Sequence, residues 1–200
     1  MVFREPHLPA PSHLSGDGFS LRPITVDDTA ADFAAVMETR EELRRWEGSD
    51  WPADDFTEAG HRDDLTKMQE RHEAGRAFSY IVLGPDGTTS LGCVYLFAPD
   101  AGFLVRSGIE RLGTRRWEDL DAVAYFWVRR GQREQGLEER LLGALRAWLR
   151  GKWNLSRVAW VVADTYGEQQ VTVRAAGLVP GFTLMEPDKP GGFSGFVEAD

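Results

Sequence analysis

The stretch that most constrains this chain runs from Ala122 to Arg150. Ala122-Val123-Ala124-Tyr125-Phe126-Trp127-Val128 is a short, unbroken apolar and aromatic segment, the pattern of a buried strand. Arg129 to Gly136, rich in Arg, Gln and Gly, reads as a loop, and beyond it Leu137, Leu141, Leu145, Trp148 and Leu149 recur at helical spacing. A helix start leaves backbone N–H groups without intrahelical partners, and the helix dipole adds partial positive charge there, so a strand, loop and helix in this order form an anion site. Gly136 lets a ligand approach the backbone closely, while Arg129, Arg130 and Arg133 offer guanidinium charge to a diphosphate.

That basic loop stands out because the chain as a whole carries a formal charge of −9. An acidic balance argues against nucleic acid or an anionic membrane surface as the main partner, since both require a basic face. At 200 residues, with seven Trp and eleven Phe, the chain has material for one sizeable core. The reading is a flexible tail over 1–17, where Pro6, Pro9 and Pro11 fall, and a single domain over 18–200. The lone Cys93 excludes an internal disulfide and a zinc-ligand spacing, and in Leu91-Gly92-Cys93-Val94-Tyr95-Leu96 it reads as a small hydrophobe. No metal site is expected. Without a long apolar run or a basic-then-apolar leader, the expectation is a cytoplasmic protein.

Taken in order, Phe19 to Ile24 reads as a first strand, and Thr25-Val26-Asp27-Asp28 caps a helix through Phe33, Val36 and Met37. Glu58 to Glu73 reads as an amphipathic helix. Phe78 to Leu83 and Thr89 to Phe97 flank Gly84-Pro85-Asp86-Gly87 as a hairpin. Residues 98–121 are a long connection with a short element at Phe103-Leu104-Val105, expected to fold over the acceptor side of the site. A strand over Arg157 to Ala163, a helix over Thr165 to Ala176 and strands at Phe182 to Met185 and Phe193 to Val197 complete the chain.

Arg133-Glu134-Gln135-Gly136-Leu137-Glu138 resembles the pyrophosphate loop of the GNAT N-acetyltransferases, written Arg/Gln-x-x-Gly-x-Gly/Ala, and the order of elements over about residues 19–182 is similar to that family's. The resemblance implies an α+β (α/β three-layer) fold with a mixed, mostly antiparallel central sheet and helices on both faces. It implies acetyl-CoA, or another acyl-CoA, as co-substrate, held by Phe126, Trp127, Val128, Arg130, Gln132, Arg133, Glu134, Gln135, Gly136 and Leu137. It also implies transfer of the acyl group to an amine of a small molecule or protein, with Trp46, Trp51 and Tyr125 lining the acceptor pocket. For catalysis, Asp121 or Glu118 would take the amine proton, and Tyr166 would donate to the leaving thiolate. The chain is read as a possible homodimer.

The chain departs from the family's pattern at several positions. Glu138 stands where the family has Gly or Ala, Glu134 where a further Gly is common, and Tyr166 where many members have Asn. The Tyr that often acts as general acid is replaced by Val173 or Thr172. Glu138 and Glu139 either point outward and stabilise the helix start through its dipole, or Glu138 points into the loop and weakens anion binding. These departures raise an alternative: a non-catalytic GNAT-fold protein that binds a different ligand or a protein partner.

Overall fold

The hairpin at the start of the described residues is set by Asp17-Gly18: Leu14–Gly16 (β1) and Phe19–Pro23 (β2) pair antiparallel around this two-residue turn, with Gly18 at φ 78°. The structure is a computed structural model that describes residues 9–199. Within the segment expected as a tail over 1–17, Leu14–Gly16 is a strand and the Pro11 carbonyl accepts a hydrogen bond from the Tyr80 hydroxyl at 2.8 Å. Residues 1–8 of that tail lie outside the described residues.

After β2 come Thr29–Glu38 (α1), Arg40–Glu47 (α2) and Glu58–Glu73 (α3), then the hairpin Ala77–Leu83 (β3) and Ser90–Phe97 (β4). Gly102–Val105 is a short helix (α4) and Gly108–Arg111 a strand (β5). Ala122–Val128 (β6), Leu137–Gly151 (α5), Val158–Ala163 (β7), Gly167–Ala175 (α6), Leu178–Met185 (β8) and Phe193–Glu198 (β9) follow. Among the described residues nine strands form one mixed sheet in the order β1-β2-β3-β4-β6-β7-β9-β8-β5, antiparallel except for the pairing of β6 with β7. The strand β5 has no counterpart in the sequence reading, because Gly-Ile-Glu-Arg on an open edge lacks the apolar alternation that marks a strand.

Strand alternation sends Cys93, Tyr95, Tyr125 and Trp127 to one face and Tyr80 and Phe126 to the other. On the first face, Asp32 of α1 accepts from Ser90 and Cys93, and Trp46 of α2 packs on Tyr95. On the second, Trp148 of α5 meets Tyr80 edge-on at 5.2 Å, and Trp153 packs against Phe78 and Trp148. Helices thus cover both faces of a mostly antiparallel sheet, the architecture the resemblance implies.

The parallel contact of β6 with β7 is short. Ala122, Val123 and Ala124 pair with Val158, Ala159 and Trp160, and the two strands then separate. Asp121, just before β6, closes the paired end: its carboxylate accepts from the backbone N–H groups of Ser156 and Arg157 and from the Arg157 guanidinium at 2.6 Å. Burial opposes the charge, but these donors hold its pKa below the ordinary carboxylate value. Asp121→Asn is expected to cost about 1–2 kcal/mol at neutral pH, with Arg157 half exposed and screened. Because the folded-state pKa is depressed, the contribution is complete above the unfolded value of about 4 and disappears as pH falls through the folded value. Urea unfolding of both proteins from about pH 7 down to about pH 2 checks this: the gap in stability should narrow on acidification.

Candidate functional site

Past Ala124, β6 and β7 diverge, leaving a gap whose β6 edge carries the Phe126 carbonyl. That oxygen accepts from the Trp46 indole N–H at 2.8 Å, reaching in from α2, and from the Gln169 side-chain amide at 3.0 Å, reaching in from α6. A carbonyl has two lone pairs, so both are taken. Across the same gap the Arg45 backbone carbonyl accepts from the Thr165 hydroxyl, the Arg45 guanidinium pairs with Glu168 at 2.8 Å, and Arg45 lies over the Tyr166 ring.

The loop after β6 is built from its own hydrogen bonds. Gln132, Gly136 and Leu137 donate their backbone N–H groups to the carbonyls of Arg129, Arg133 and Gln132. Gly136 caps α5 in the left-handed region at φ 71°, which explains a glycine there without a ligand. Each of the three arginines faces a carboxylate of the chain: Arg129 pairs with Glu38, Arg130 with Glu42 at 2.8 Å, and Arg133 with Glu138 at 2.8 Å. Although burial opposes ionisation of Glu42, the Arg130 hydrogen bonds leave its pKa lowered.

Glu138 decides the character of the loop. Its exposure is 0%, whereas its neighbour Glu139 and the loop residue Glu134 point to solvent. One Glu138 oxygen accepts from Arg133 and from the Gln169 amide at 3.0 Å, and the other accepts from the Thr172 hydroxyl at 2.9 Å. Gln169 faces two acceptors, Glu138 and Phe126 O, so its amide nitrogen must be the atom turned towards them. Arg133 also donates to the Tyr166 hydroxyl at 2.6 Å and stacks over that ring. Burial, opposed by Arg133, pushes the Tyr166 phenol up to about 12, so it stays protonated. A negative charge of the chain itself thus sits among the donors that a diphosphate would use, and the residues present do not suit that group in this arrangement.

The three residues expected in an acceptor pocket do come together. Trp46, Trp51 and Tyr125 line a cavity of about 420 Å³ with Tyr95, Phe97 and Phe103. Phe103 belongs to α4, so the 98–121 connection supplies one wall. The Tyr125 hydroxyl donates to Glu186 at 2.7 Å, and burial together with that carboxylate holds the phenol proton on. Lys189 bridges Glu186 at 3.1 Å and Glu47 at 2.6 Å. Burial pushes the Glu47 carboxyl up, with Lys189 acting in the opposite direction.

The expected bases lie elsewhere. Asp121 immediately precedes β6 while the loop follows its end, a separation of about 25 Å at strand rise. Asp121 and the exposed Glu118 border a different cleft of about 850 Å³. Their proximity to β6 in sequence conceals that they stand at the paired end of β6 and β7, away from the gap. Tyr166 does reach the loop. Trp127 turns its indole to the Tyr95 hydroxyl at 3.2 Å, away from the β7 side. Gln169, Glu186 and Lys189 were not singled out by the sequence; Thr172 was noted only as a replaced tyrosine. A polar Gln169 and Thr172 three apart on a short helix give the one signal that was available. Among the described residues no group of three or more His, Cys, Asp or Glu side chains could hold a metal ion, and no helix is long and apolar enough to cross a membrane.

No protein-family model and no curated protein matches the chain. Its three-dimensional likenesses are close. Mycobacterium smegmatis RimJ in complex with CoA-disulfide superposes with a TM-score of 0.70 at 14% identity, over 94% of this chain and 87% of that one. The ribosomal-protein-S5-alanine acetyltransferase of Vibrio fischeri gives 0.68 at 16% identity, over 94% and 96%. A Bordetella pertussis protein described as a GNAT-family acetyltransferase gives 0.65 at 17% identity, over 94% and 100%. The chain has the GNAT fold. Within the GNAT fold as this chain builds it, Glu138 is buried where the family's loop has Gly or Ala, and Arg133 is bound to it.

Removing one member of a buried, hydrogen-bonded charge pair costs far more than removing an exposed one. Glu138→Ala is expected to destabilise the protein by about 3–5 kcal/mol, since Arg133, Gln169 and Thr172 lose their shared acceptor. Glu139→Ala, one residue on and exposed, should change stability by less than about 0.5 kcal/mol. Urea unfolding of the two variants measures the contrast.

Proposed function

We propose that this chain is a GNAT-fold protein that binds a ligand in the aromatic pocket beside Tyr125 and does not transfer an acyl group from coenzyme A. The observation that carries this reading is the fully buried Glu138, which neutralises Arg133 inside the loop. The gap between β6 and β7 supports it, because Trp46 and Gln169 already satisfy the Phe126 carbonyl that an extended ligand would use. The pocket on the Tyr95 and Tyr125 face is formed without any rearrangement of that gap.

A second reading is acyl transfer from acetyl-CoA to an amine of a small molecule or protein. One observation favours it: the Tyr166 phenol is held protonated and is hydrogen-bonded to the loop residue Arg133, and a donor to a leaving thiolate has to carry its proton. The RimJ neighbour's CoA-disulfide gives the same reading its structural precedent. On this reading Arg133 has to leave Glu138, and that exchange opposes binding.

Calorimetric titration with acetyl-CoA separates the two. The wild-type protein is expected to give no detectable heat of binding at micromolar concentrations. Glu138→Gly, which removes the internal anion, is expected to bind at least about tenfold more tightly, a change of about 1.4 kcal/mol. Micromolar binding by the wild type, followed by acetylation in an amine screen, would establish the second reading instead.

A further inference from the structure

The end of α3 sets two like charges side by side. Gly75, at φ 64°, reverses the chain, so that its N–H donates to the His72 carbonyl and the Arg76 N–H donates back to the Arg71 carbonyl at 2.9 Å. A closing turn of this kind usually packs two apolar side chains at the positions that Arg71 and Arg76 occupy. Here both are arginines, and both are exposed. The negative end of the helix dipole favours a cation at Arg71, in the last turn, but Arg76 lies beyond the helix.

A third arginine joins them from another element. Arg106 caps the C-terminus of α4, and its Nη1 lies 3.6 Å from the point where a Cβ on Gly102 would stand, so the bare glycine leaves room for the guanidinium to fold back. Arg71, Arg76 and Arg106 border one cleft of about 550 Å³, in which Asp100 is the single carboxylate among the described residues. Arg22, Arg45, Arg130, Arg146 and Arg157 each bind a carboxylate of the chain. Among the described residues the guanidinium groups of Arg71, Arg76 and Arg106 have no such partner. In a chain with a formal charge of −9, a cleft with three free guanidinium groups is a local reversal of sign that focuses attraction on anions.

The rest of the lining is apolar. Phe97 and Phe103, half-buried and edge-on with centroids 5.0 Å apart, stand beside Ala77, Ala98 and Ala101. Cationic groups above an apolar floor suit a ligand that carries both charge and body, and the cleft has the size of a small-molecule site. It is separate from the loop after β6: Phe97 pairs with Val123, five residues before the end of β6 at Val128, or about 17 Å at strand rise. With the pocket beside Tyr125 it shares Phe97, Phe103 and Arg106, but Arg71 and Arg76 border the cleft alone.

We propose that the cleft between the end of α3 and α4 is a second binding site, for a small organic polyanion with an apolar or aromatic body. Arg71, Arg76 and Arg106 take its carboxylate or phosphate groups, and its body lies on Phe97 and Phe103. Guanidinium forks match the planar geometry of such groups and stay charged at any physiological pH. The site holds whether or not coenzyme A binds at the loop and whatever occupies the pocket beside Tyr125.

The test is calorimetry on the full chain at low ionic strength with trimesate, a benzene ring bearing three carboxylates. Its uncharged counterpart is the benzene triol with three hydroxymethyl groups, and inorganic phosphate supplies charge without a body. The wild type should bind trimesate at least about tenfold more tightly than either. Arg76→Ser and Arg106→Ser should each weaken trimesate binding about fivefold or more, and Asp100→Asn should tighten it, whereas Arg62→Ser, an exposed arginine outside the cleft, should leave it unchanged. Thermal melts establish that each variant is folded, and the comparison of the three probes on the wild type needs no variant. Trimesate that binds no better than the triol or than phosphate, or that does not bind at millimolar concentration, would overturn the proposal. So would trimesate binding that survives Arg76→Ser and Arg106→Ser but is lost in Arg130→Ser, which would place the anion at the loop after β6.

Discussion

A carboxylate with no solvent exposure cannot persist without donors, and the organisation of this molecule's centre follows from how Glu138 obtains its three. Arg133 comes from the loop after β6, while Gln169 and Thr172 come from α6. Gln169 in turn donates to the Phe126 carbonyl on β6. One buried charge therefore joins the loop, the first turn of α5, α6 and the strand that faces the gap. The gap itself arises because β6 and β7 pair over only three residues, with Asp121 and Arg157 closing the other end. Divergent strands would leave backbone groups without partners, and the side chains from α2 and α6 supply them.

This arrangement inverts the electrostatics that a helix N-terminus offers. Left to its backbone, the start of α5 attracts an anion through unpartnered N–H groups and the dipole. Here Glu138 supplies that anion from within, and Glu38 and Glu42 pair the remaining arginines. The strongly basic loop seen in the sequence is thus close to neutral in the fold. The excess negative charge appears instead around Glu47 and Glu186, on the face lined by aromatic rings. The fold is one shared with ribosomal-protein acetyltransferases, and in this chain the loop arginines are paired with carboxylates while further carboxylates gather on the aromatic face.

Much of the architecture was legible because it is written in apolar periodicity. The strand at Ala122–Val128, the stripe on α5 and the hairpin of β3 and β4 are all buried as their patterns require. What was hidden is information that periodicity does not carry. The edge strand β5 is polar and pairs only with β8, so nothing in its four residues marks it. The Asp17-Gly18 turn lies among prolines whose composition suggests a tail. Asp121 illustrates a deeper limit: its neighbour in sequence is the functional strand, but direction along that strand places it at the far end. The side on which Glu138 falls was also beyond sequence alone, since an acid in a first helical turn suits solvent as well as a buried arginine. Leu137 and Leu142 place it on the inward face, a register that only the packed helix fixes.

The most direct test of this account is a crystal structure of the wild-type protein grown with millimolar coenzyme A. The account predicts Glu138 on Arg133, Gln169 and Thr172, the Phe126 carbonyl capped by Trp46 and Gln169, and no nucleotide density on the loop. A diphosphate bound to the loop amides, with Glu138 turned out and Arg133 on the phosphate, would contradict it.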